Sequence, residues 1–78
     1  MKKVDMKRVG GEIRGLIKSG GYGFIRTLED RVDIYFHCSE LINAKFDDLK
    51  LRDRVTCLLR ERSGRIYGID VLLVDAPR

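Results

Sequence analysis

The sequence predicts an all-β domain: five short antiparallel strands in a small closed or nearly closed barrel. Three observations carry this reading. Apolar and polar residues alternate along most of the chain, the pattern of strands with one buried face. Gly-containing polar stretches, KSGG at 18–21 and RSG at 62–64, interrupt that alternation where turns belong. No long helical segment competes. Closing the sheet removes the exposed edges that would make five open strands sticky.

The first strand is expected over 9–18, where small or apolar residues alternate with polar ones such as Arg14 and end in Leu16 and Ile17. After KSGG, a second strand covers 22–28, and EDR forms a polar turn. The third, 33–38, is rich in β-formers. RVTCLLR at 54–60 is the fourth, and the fifth follows RSG from 65 to about 75. Between strands three and four, SELINAKFDDLKLRD lacks clear alternation. Ser39 is a cap candidate for one helical turn there, with a long loop as the equal alternative. Residues 1–8 read as a basic arm and 76–78 as a tail, leaving 9–75 as the domain.

Bulk properties bound the rest. With 78 residues, 44% hydrophobic and 36% charged, the chain suits one soluble folded domain with a modest core. Sixteen Lys and Arg against twelve Asp and Glu give a net charge of +4, which favours an anionic partner. Cys38 and Cys57 are too few and too far apart for a zinc knuckle or disulfide framework and read as reduced core thiols. No signal peptide or membrane-length apolar run is visible, so a cytoplasmic protein is expected.

Function is read from the aromatic residues. GYGFI at 21–25 and DIYFH at 33–37 hold four of the six rings and the one histidine. Strand side chains alternate faces. Tyr22 and Phe24 therefore share one face, as do Tyr35 and His37, while Ile25, Ile34 and Phe36 turn to the core. If the two strands are antiparallel neighbours, Tyr22, Phe24, Tyr35 and His37 form an outer block of rings. Exposing rings costs free energy, and nucleobases stack on such rings at about 1–3 kcal/mol per base. Arg14, Lys18, Arg26 and Arg31 are near enough in sequence to hold phosphates, and Gly20, Gly21 and Gly23 allow tight turning and close approach of a ligand.

These residues resemble the cold-shock domain, whose opening segment has the form G-x-V-K-W-F-N-x-x-K-G-F-G-F-I. GEIRGLIKSGGYGFI, from Gly11 to Ile25, aligns with it without a gap, and IYFHC at 34–38 matches the family's V-F-V-H-F. LKLRDRVTCLL resembles a later family segment, so the likeness runs from Gly11 to about Val71. The resemblance implies a Greek-key oligonucleotide-binding barrel (the OB-fold) that binds single-stranded RNA or DNA and acts as an RNA chaperone or expression regulator. Its stacking positions fall on Tyr22, Phe24, Tyr35, His37 and Phe46. Arg14 and Asp33 match a basic and a polar contact, and Lys18, Arg26 and Arg65 are added as phosphate contacts. Gly15, Leu16, Gly20 and Cys38 replace the family's Trp, Phe, Lys and Phe. Losing two large stacking surfaces predicts affinity weaker by roughly two to four orders of magnitude, or a shorter footprint.

A second reading is a protein-interaction barrel or homodimer. Val71, Leu72, Leu73 and Val74 make both faces of the last strand apolar, and a small barrel buries only one of them. Catalysis is not expected: there is one histidine, no nucleophile beside a base, no phosphate loop and no metal-ligand cluster, so no cofactor or metal is assigned.

Overall fold

The computed structural model describes residues 7–74. β1 (Arg8–Ile17), β2 (Tyr22–Thr27), β3 (Asp33–His37), β4 (Arg54–Arg62) and β5 (Arg65–Leu73) close into a barrel in the order β1-β2-β3-β5-β4. Among the described strands the pairings are antiparallel except that of β3 with β5, which is parallel, as is an isolated bridge between Leu41 and Val71. Because β5 lies between β3 and β4, the connection leaving β3 must cross the barrel, which gives the Greek key.

The interior is built from the inward half of each alternation. Ile13, Ile25, Ile34, Phe36, Val55, Cys57, Val71 and Leu73 are buried, with Leu49 of the β3–β4 connection completing the core. Ile25, Ile34 and Phe36 are thus core residues, as their positions predict. Gly23 also points inward. A Cβ there would lie 2.6 Å from the Gly15 carbonyl oxygen and 2.9 Å from the Phe36 ring, so core crowding demands glycine and ligand approach does not. Gly21 adopts φ +69° and donates to the Ile17 carbonyl, closing the β1–β2 turn.

Two irregularities decide which side chains face out. β1 slips register against β2 between Ile13 and Gly15, which leaves Arg14 as the extra residue and puts Gly15 opposite Phe24. β5 has the second slip, near Asp70, which sits at φ +55°. The Arg8 guanidinium donates to the Asp70 carbonyl at 2.9 Å and to Thr56 Oγ1 at 3.1 Å. It also pairs with the Asp70 carboxylate at 3.3 Å. The Asp70 N–H donates to Glu40 Oε1 at 3.1 Å. Arg8, assigned from sequence to the arm, is therefore the first residue of β1 and a clamp on β5. The rest of the arm through residue 6, and the tail with Asp75, lie outside the described residues.

The β3–β4 connection contains two 3₁₀ turns, Cys38–Glu40 and Phe46–Asp48. Its first turn is capped by His37, whose Nδ1 accepts from the Ser39 N–H, and not by Ser39 itself. Farther on, the Ile42 N–H donates to the Val71 carbonyl, and the Asn43 amide makes paired bonds to Leu73 N–H and C=O at 2.8 and 2.9 Å. This segment occupies the β5 edge beyond β3. Val71 and Leu73 are core, Leu72 is half-buried, and Val74 is 54% exposed. Cys57 is a core thiol, its pKa pushed up to about 11 by burial. Cys38 departs from expectation and is half-exposed at the end of β3. Among the described residues no helix is long and apolar enough to cross a membrane.

Candidate nucleic-acid interface

The outer face of β2 and β3 follows from their register. Tyr22 lies opposite His37, Phe24 opposite Tyr35, and Arg26 opposite Asp33. Directly opposed residues share a face, so the three aromatic residues and the histidine form one block above the buried Ile25, Ile34 and Phe36. The rings touch. Tyr22 and Tyr35 stack with centroids 5.3 Å apart and planes 28° from parallel. Phe24 meets both edge-on, at 6.0 Å from Tyr22 and 6.2 Å from Tyr35. Such pairs are worth about 0.5–1.5 kcal/mol each, which holds the rings in place before any ligand arrives. Phe24 remains 36% exposed.

His37 is exposed at one corner of the block. Because its Nδ1 accepts from the Ser39 backbone, the neutral ring carries its proton on Nε2, where it is a donor.

At the opposite corner, the Arg26 guanidinium makes a two-point pair with Asp33, Nε to Oδ1 at 2.8 Å and a second nitrogen to Oδ2 at 3.3 Å. The hydrogen bond from Arg26 holds the Asp33 carboxyl below its ordinary range, and the same bond raises the Arg26 pKa. Arg26, which the sequence suggested as a phosphate contact, is thus paired with Asp33 at the surface. Arg14, on the β1 bulge, is exposed and makes no ion pair among the described residues. It lines a shallow cleft with Glu12, Arg26, Thr27, Leu28 and Arg31.

Lys18 and Phe46 are brought together. The Lys18 ammonium donates to the carbonyls of Phe46 and Asp47, each at 3.1 Å, and sits 5.3 Å from the Phe46 ring centroid. Phe46 is half-buried and packs on the core edge-on to Phe36 at 6.2 Å. The pair straps the β1–β2 turn to the β3–β4 connection. Arg65 is exposed at the start of β5, opposite Arg62.

Sequence reasoning missed Tyr67. It lies opposite Tyr35 across the parallel contact, with ring centroids 5.5 Å apart and planes at 86°. The signal was the Greek-key strand order, which sets β5 beside β3.

A closed five-stranded Greek-key barrel with an outer aromatic face defines the class: a small oligonucleotide-binding barrel. The sequence profile of the 'Cold-shock' DNA-binding domain matches residues 9–73, and the chain belongs to this family of nucleic-acid-binding domains. The fold is similar to that of a solved structure, drosophila Unr CSD456, with a TM-score of 0.73 and 23% identity over 94% of this chain and 30% of that one. The chain thus spans less than a third of that structure's length. A search of curated proteins found no match.

Proposed function

We propose that the chain binds single-stranded RNA or DNA by stacking bases on Tyr22, Phe24 and Tyr35, with His37 donating from Nε2 at the corner. The observation that carries this reading is the ring block itself. It stands on the outer face while the alternate positions of the same strands already fill the core. Arg14 and Arg65 are the arginines of the expected set that remain available for phosphate. Arg26 is held by Asp33 and Lys18 by loop carbonyls. Phe46 and Lys18 act as a buttress. Because Gly15, Leu16, Gly20 and Cys38 lack the family's rings and lysine, the affinity is modest. The cellular consequence is chaperoning: holding weak hairpins unpaired, with no nucleotide hydrolysis.

The experiment is a titration of labelled ribo- and deoxyribo-oligonucleotides of seven to eight nucleotides at several salt concentrations. Affinity should fall with salt at a log–log slope of about −0.7 per neutralised phosphate, and a duplex of the same sequence should bind much less. Equal affinity for duplex and single strand would contradict base stacking.

A further inference from the structure

We propose that the base-binding face continues past β3 onto the β4–β5 hairpin, where Tyr67, Arg60, Arg62 and Arg65 form a further nucleotide subsite. This rests on the single-strand reading above and extends its footprint.

Register places the residues. Phe24 opposes Tyr35, Tyr35 opposes Tyr67, and Tyr67 opposes Arg60, so these four share one face across four strands. Arg62 stands two residues beyond Arg60 on that face, opposite Arg65. The surface is concave: Tyr35, His37, Tyr67, Arg60 and Arg62 line a cavity of about 250 Å³ together with Glu40.

Charge says what belongs there. Arg60, Arg62 and Arg65 crowd one end of a hairpin, and none makes an ion pair among the described residues. Like charges directly opposed across a ladder repel. A phosphate relieves that repulsion and suits the two-point geometry of a guanidinium. Tyr67 supplies the π-face for the attached base. Its ring is turned 86° from Tyr35, so the bound strand changes direction between the two.

The bulge at Asp70 makes the subsite possible. Without it, an unbroken period of two would put Tyr67 on the same face as the buried Val71 and Leu73. Glu40 accepts from the Asp70 N–H and lines the same cavity, which makes it a positioning residue that holds the bulge.

The test uses oligothymidylates of three to nine nucleotides with the wild-type chain and with Tyr67→Ala, Tyr67→Phe and Arg60→Gln/Arg62→Gln variants, each checked for folding by circular dichroism. The wild type should gain affinity up to a saturating length. Tyr67→Ala should saturate at least one nucleotide sooner and bind the longest oligomers roughly 5- to 150-fold more weakly, and Tyr67→Phe should restore the gain. The arginine variant should flatten the salt slope by about 0.7 to 1.4. Unchanged saturation length and salt slope in all variants would overturn the subsite. A Phe24→Ala control separates the two claims. If it weakens every length while the Tyr67 and arginine variants do nothing, the platform stands alone; if it too has no effect, the single-strand reading itself fails.

Discussion

The rings of the β2–β3 face and the ring of Phe46 have opposite fates. On the β2–β3 face, Tyr22, Phe24 and Tyr35 pack against each other, Tyr35 also meets Tyr67, and Phe24 stays exposed while both tyrosines are half-buried. At the β1–β2 turn, Phe46 leans on Phe36, and its cation Lys18 is spent on two backbone carbonyls of the protein's own loop. Composition cannot separate the two. The difference lies in whether donors and ring faces are already satisfied internally. A ring is a candidate binding surface when it is not needed to hold the fold.

The largest way to break this contrast is the double substitution Phe24→Ala/Tyr35→Ala. At about 1–3 kcal/mol per stacked base, it should lower oligonucleotide affinity by roughly two to four orders of magnitude in a fluorescence titration, with the barrel still folded by circular dichroism although the lost ring contacts lower its unfolding midpoint. If affinity survives, the open rings are not the platform.

Phe46→Ala should do the reverse. A fully buried Phe→Ala change costs about 3–5 kcal/mol, and for this half-buried ring about 1–3 kcal/mol is expected in urea unfolding. Affinity should change by less than about fivefold. A large affinity loss at unchanged stability would move Phe46 from buttress to platform.

The third test adds a ring. Gly15 lies opposite Phe24, and a Cβ there would stand 3.3 Å from Phe24 Cδ1, close enough to require a small adjustment of an exposed ring. Gly15→Trp should therefore enlarge the platform and tighten binding by about 5-fold or more, if one further base stacks. No gain would mean that the bound strand does not pass over β1.

The smallest effect concerns Arg26. Asp33→Asn should free the guanidinium for phosphate and steepen the salt slope by about 0.7. The linkage sign follows from the lowered Asp33 pKa: the pair's contribution is complete above the ordinary carboxylate range and is lost as pH falls through the lowered value. Wild type should therefore be slightly more stable than the variant near neutrality, and the two should converge in strongly acidic solution, where Asp33 is protonated and the pair is lost.

Much of this was legible in the residues. Alternation alone put Ile25, Ile34 and Phe36 inside and Tyr22, Phe24 and Tyr35 outside, because a period of two leaves no freedom once one face is buried. What escaped was set by backbone irregularity and long-range bonding. The β5 bulge, with Asp70 in the left-handed region, reverses the face of Tyr67, and nothing in RIYGID announces it. Arg8 looked like part of an arm because its partners, Thr56 and Asp70, are more than forty residues away. Likewise, the apolar last strand left a homodimer open as an alternative. Its edge beyond β3 is taken by Ile42 and Asn43 of the same chain, an arrangement that local pattern cannot show.

The most direct measurement is an NMR titration of the isotope-labelled chain with a single-stranded heptanucleotide, following ring and backbone resonances. Tyr22, Phe24, Tyr35 and the His37 Nε2–H should shift strongly, with Phe46 and Lys18 nearly still. Shifts concentrated at Phe46 and the β1–β2 turn, with Phe24 and Tyr35 silent, would contradict it.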